Sequence, residues 1–99
     1  MNSNRIVGIK SDKGKPRYSL IPWGPMSCVV EVMEYGARKY SEDNWRYVEN
    51  GRVRFFDAAM RHMVSWHKGE NRDGESDLPH LAHAVCCLLM AMYHDSTTL

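Results

Sequence analysis

Apolar side chains recur at steps of three and four in three stretches of the chain. Met26, Val29, Val30, Met33 and Ala37 form the first stripe, a period that predicts an amphipathic helix. Pro25 is expected to open that helix, because a first turn leaves its N–H groups unpaired and proline has none to lose. Gly36 lies inside the pattern. The second helix is expected at about Arg54 to Lys68, with Phe56, Ala59, Met63 and Trp66 facing inward and Asp57 placed to pair with Arg61 one turn on. Gly69 follows as a stop. The third carries HLAHAVCCLLMAMYH, with Leu81, Val85, Leu88 and Met92 in one stripe and His80, His83 and Cys87 on the face beside it. Ser76 or Asp77 is expected to cap it, with Pro79 in its first turn.

The intervening segments are irregular. Residues 1–23 are polar and basic, broken by Gly14, Pro16 and Pro22, and read as an N-terminal arm with a short extended piece from Arg5 to Lys10. Turn residues gather at 41–44 and at Asn50-Gly51. The expectation is an all-α, three-helix domain over residues 24–99 preceded by the arm. A chain of 99 residues builds only a small core, so completion by a second copy is expected, as a homo-oligomer.

Composition narrows the function classes. The formal net charge of +1 gives no uniform field for nucleic acid or a membrane surface, so neither is an expected partner. No apolar run reaches the ~20 residues that span a bilayer, and no signal-peptide pattern opens the chain. The 3 cysteines, Cys28, Cys86 and the adjacent Cys87, do not form a disulfide framework. Free thiols in a cytoplasm, the host's if a phage encodes the chain, are expected.

The candidate chemistry lies in four groups. Glu31 and Glu34, one turn apart, can share a hard cation or form a solvated helix face. Glu70, Asp73, Glu75 and Asp77 place four carboxylates in eight residues; they hold a cation, or form a flexible loop whose last members favour the next helix N-terminus. His80 and His83 can turn toward one site, as ligands or as donors to phosphate and ribose oxygens. Arg38, Lys39 and Arg46 with Tyr40 and Trp45 offer cations for phosphate and rings for a base. There is no glycine-rich phosphate loop, and no serine or cysteine nucleophile with a recognisable base, so no catalytic residue is assigned.

Four ordered blocks, KGKPRYSLIPW, YGARKYSEDNW, DAAMRHMVSWHKGE and ESDLPHLAHA, resemble the phage dATP/dGTP diphosphohydrolase N-terminal family over roughly Lys13 to Tyr93. That family is similar to the all-α MazG-like pyrophosphohydrolases, which convert a nucleoside triphosphate to monophosphate and pyrophosphate with Mg²⁺. The resemblance implies a MazG-like bundle completed by oligomerisation. It places Glu31 and Glu34 at the first acidic pair of the superfamily's metal site. The second pair falls on His80 and His83, while Glu70 and Asp73 have the ExxD spacing and can serve from the loop.

Two functions are in view. Replacement of an acidic pair by histidines favours a protein that sequesters a purine nucleotide-derived immune signal, of cyclic ADP-ribose or cyclic dinucleotide type, as an anti-defence sponge without a cofactor. The ligand would be met by Arg38, Lys39, Tyr40, Asn44, Trp45, Arg61, His80 and His83. The alternative is a dATP/dGTP pyrophosphohydrolase using Mg²⁺ or Mn²⁺ on Glu31, Glu34, Glu70 and Asp73.

Overall fold

The computed structural model describes residues 5–95. Three helices carry the fold: α1 over Trp23–Lys39, α2 over Gly51–His67 and α3 over His80–His94. Single 3-10 turns lie at Tyr18–Leu20 and Asn44–Tyr47. The β pairing found among the described residues is one isolated bridge, Arg72 with Pro79, so the domain is all-α as the periodicity predicts. Among the described residues, no helix is long and apolar enough to cross a membrane.

The helix starts differ from expectation by a few residues, for local reasons. α1 begins at Trp23, not Pro25, with Pro22 as its cap. Pro25 still falls in the first turn, among the N–H positions that have no helical acceptor. α2 begins at Gly51 because Asn50 turns the chain in the left-handed region, φ 55°, which asparagine tolerates better than most residues.

α3 is the central element, packing most extensively on α2 and also on α1. Val29 and Val32 of α1 meet Ala82 and Cys86 of α3, with Met26, Cys28, Leu78 and Met90 around them. Ala59 of α2 and Ala84 of α3 are also buried. These buried side chains are small, so the helices approach closely and enclose little apolar volume.

The expected stripe on α3 faces outward, and that on α2 does so in part, Ala59 being buried and Met63 half-buried as expected. Leu81, Val85, Leu88 and Met92 are 39–50% exposed, and Phe56 and Trp66 are 52% and 45% exposed. On α2 the inward line is Gly51, Phe55, Ala59 and His62, which shares Ala59 with the expected stripe. Val53, Phe56, Met60 and Val64 form a second apolar line facing out. A helix that is apolar on more than one face cannot reveal by period which face meets its own chain. The expected arm is exposed from residue 5 to residue 17 and turns at Asp12 to Lys15, where the Lys15 N–H donates to the Asp12 carbonyl; Ile6, Val7 and Ile9 are 82–97% exposed.

Candidate functional site

The acid loop is a folded turn. α2 ends in a Schellman arrangement: Gly69 takes φ 102°, its N–H donates to the Trp66 carbonyl, and the N–H of Glu70 donates to that of Ser65. That geometry fixes where Glu70 leaves the helix. The N–H of Asp73 then donates to the Leu78 carbonyl, and that of His80 to Asn71. The Asp73 carboxylate accepts from the N–H groups of Glu75 at 3.0 Å and Ser76 at 2.9 Å, an Asx turn. Lys39 donates to both Glu75 oxygens at 3.0 and 2.9 Å, tying the loop to the end of α1.

Neither Ser76 nor Asp77 caps α3, contrary to the sequence expectation: its cap position is Pro79, with no side-chain bond. Ser76 is occupied elsewhere. Its Oγ accepts from the N–H of Leu78 at 3.2 Å and lies 2.6 Å from His83 Nε2. Asp77 adopts φ 58°, and its carbonyl accepts from the Arg72 guanidinium at 2.7 Å.

This turn delivers its acids to three imidazoles. His80 Nε2 is 2.6 Å from Glu70 Oε1, and His80 Nδ1 is 2.8 Å from His62 Nδ1. The His62 ring stacks on His83, centroids 4.5 Å apart and planes 11° from parallel. His80 and His83 are buried, at 4% and 8% exposure. Ligand atoms of His62, Asp73 and His80 all lie within 4.8 Å of one another.

The electrostatics follow the packing. Burial, with His83 and His80 close by, lowers the pKa of His62, and burial lowers that of His83. Partial burial opposes ionisation of Asp73, but the N–H and hydroxyl of Ser76 and the N–H of Glu75 hold its carboxyl below the usual range. The Tyr35 hydroxyl and Lys39 do the same for Glu75.

The residues named from sequence divide into separate places. His80, His83, Glu70 and Asp73 come together, and Lys39 reaches the loop through Glu75. Arg61 is exposed beside His62 and lines a shallow groove with Asp57, Met60, Val64 and Ser65. Glu31, Glu34 and Arg38 are exposed on α1; neither glutamate joins the His62–Asp73–His80 group. Tyr40 is 65% exposed, its ring 5.3 Å from Lys39 Nζ.

Trp45 packs at the opposite end of α3. Its ring stands edge-on to Tyr93 at 4.9 Å, with the Arg46 guanidinium 4.5 Å from its centroid. Thirteen residues of helix put Tyr93 about 20 Å from His80, so within one chain Trp45 and the adjacent, exposed Asn44 do not meet the imidazoles. His62 was absent from the sequence-derived set. The available signal was its position three residues after Ala59, on the same helix face.

The imidazoles and carboxylates gathered around buried His80 are residue types that ligate metal ions. Comparison with known families is specific. Residues 7–98 match the family described as dATP/dGTP diphosphohydrolase, N-terminal, and the chain belongs to that family. It is 34% identical over 88 residues to a dATP/dGTP diphosphohydrolase of Salmonella phage PMBT28. The match takes in 89% of this chain and 30% of that protein, so the chain spans about a third of that relative's length. No solved structure matches.

These findings correct the expectation of a sequestering sponge: both the family and the relative are named for nucleotide hydrolysis. The physical ground for that expectation also fails. It rested on the loss of negative charge where histidines replace an acidic pair, yet the loop returns Glu70 and Asp73 to the same place.

Proposed function

We propose that the chain hydrolyses a purine deoxynucleoside triphosphate, dATP or dGTP, to the monophosphate and pyrophosphate. The observation that carries this reading is the His80 imidazole, buried between Glu70 and His62 with Asp73 alongside. The name of the phage relative supplies the substrate class.

The residues fit a divalent cation. The group offers two imidazole nitrogens and a carboxylate oxygen within 4.8 Å of one another. A cation there would supply Lewis-acid polarisation of a phosphoryl oxygen and a more acidic bound water. The chain's own part is positional. Glu70 fixes the His80 ring, Ser76 fixes His83, and the Asx turn fixes Asp73. Arg61 and Arg38 are exposed cations that would meet the triphosphate as planar donors of fixed charge. Lys39 holds the loop shut through Glu75.

The working form in this proposal is an assembly. The exposed lines Leu81, Val85, Leu88, Met92 and Val53, Phe56, Met60, Val64 are apolar surfaces that a partner would cover. A second copy is the occupant.

The test is product analysis. Purified chain is incubated with each of the four deoxynucleoside triphosphates under Mg²⁺, Mn²⁺ or Co²⁺, and products are separated by anion exchange. Equal amounts of purine monophosphate and pyrophosphate are expected. Intact triphosphates under every cation, or diphosphate with inorganic phosphate, would contradict the proposal.

A further inference from the structure

We infer that His62, His80 and Asp73 form a binding site for a first-row transition cation of the Fe²⁺ to Zn²⁺ series in preference to Mg²⁺. The inference deepens the hydrolase reading by naming the cation class, but its observations are independent of any nucleotide.

The argument starts from the protons. Glu70 Oε1 lies 2.6 Å from His80 Nε2, and an ionised carboxylate only accepts, so Nε2 carries the hydrogen. In neutral His80 the lone pair is then on Nδ1. That atom faces His62 Nδ1 at 2.8 Å. With both rings neutral, His62 is the ring that would donate across this contact in the metal-free chain. With the His62 proton on Nε2 instead, both facing nitrogens offer lone pairs, and ligand atoms of His62, His80 and Asp73 lie within 4.8 Å of one another.

A metal-bound imidazole characteristically donates its other N–H to a carboxylate, which sets the ring and its tautomer. Glu70 stands in that relation to His80. The Asx turn does the corresponding work for Asp73, because one of its oxygens accepts two backbone N–H groups. The two nitrogens are at hydrogen-bond separation. Metal–nitrogen bonds of about 2.0–2.1 Å at a tetrahedral angle need about 3.3 Å, so loading requires a small opening of the His62 and His80 rings.

The donor set decides the cation. Mg²⁺ takes oxygen ligands and keeps its waters. Imidazole suits Fe, Ni, Cu and Zn, with affinity rising from Fe²⁺ to Cu²⁺ and falling back at Zn²⁺. Two of the three ligands here are nitrogen, and Glu31 and Glu34 do not join them.

The experiment is a Co²⁺ titration of the full chain without nucleotide, followed by visible d–d absorption and calorimetry. One equivalent per chain is expected, with bands of low-coordinate Co²⁺, displaced by Zn²⁺ and not by a large excess of Mg²⁺. Glu70→Gln should weaken binding by about 10- to 100-fold. Its side chain is 60% exposed, so the variant should fold, as far-UV circular dichroism will verify. His62→Gln should remove the bands. Absence of Co²⁺ binding, displacement by equimolar Mg²⁺, or unchanged affinity in both variants would overturn the inference. A chain that binds Co²⁺ as described but leaves dATP and dGTP intact would overturn the hydrolase reading and leave the metal site standing.

Discussion

His94 lies directly on Gly51. A Cβ built on the glycine would fall 2.6 Å from three atoms of the imidazole, closer than non-bonded carbons approach. The ring is not free to move: Nε2–H donates to the Trp45 carbonyl at 2.8 Å, and one face stacks on Phe55 at 5.6 Å. This contact joins the start of α2 to the end of α3. Gly51→Ala should therefore destabilise the fold by about 1–3 kcal/mol, although alanine is the better helix former. At about 4–8 °C per kcal/mol for a domain of this size, thermal melting will show it. An unchanged midpoint would mean the ring has room to shift.

The thiols give a second test. Burial raises Cys86 to about 12 and Cys87 to about 11, each with a smaller electrostatic contribution. The thiolate is the reactive form. In the folded chain both should stay unmodified by a thiol reagent at about pH 8 and react once the chain is denatured. Rapid labelling of either in native protein, located by mass spectrometry, would contradict the packing of α3.

Acid should weaken the metal-free fold through His62 and His83. Burial lowers both from 6.5, so the unfolded chain binds protons that the folded chain refuses. Their contribution is whole above 6.5 and is lost as pH falls from there toward the folded values. Asp73 and Glu75 are shifted down from 3.8 and 4.5, so their loss belongs to more acidic solutions. Urea midpoints in chelator should fall between about pH 7 and about pH 5.5. A flat profile, or a rise, would contradict the burial of these rings.

The outward apolar stripe on α3 makes a prediction about assembly. Sedimentation should show the wild-type chain as a dimer or larger. Leu88→Glu should shift it to monomer with little effect on the isolated fold, because Leu88 is 43% exposed. A wild-type monomer at every concentration would leave that stripe without its partner.

The sequence made the helices legible and their rotation obscure. Period placed all three helices to within a few residues, because each carries a long apolar line. Leu81, Val85, Leu88 and Met92 made the strongest line on α3, yet Ala82, Ala84 and Cys86 are its buried apolar residues. Small side chains allow closer helix approach but weigh little in a hydrophobic pattern. In the site, His80, His83, Glu70 and Asp73 were legible because they crowd one stretch. His62 was not: it comes from another helix, and the pairing of α2 with α3 is a tertiary fact. Trp45 was legible as an aromatic among basic residues, but its use against Tyr93 and Arg46 depends on where the chain turns after α1.

The most direct test is the hydrolysis of dATP and dGTP by the wild-type chain and by His80→Gln, at matched concentration and with folding verified. The wild type should release purine monophosphate and pyrophosphate in equal amounts, and the variant should be slower by roughly 100-fold or more. A His80→Gln chain that turns over at the wild-type rate would show that hydrolysis does not use this cluster.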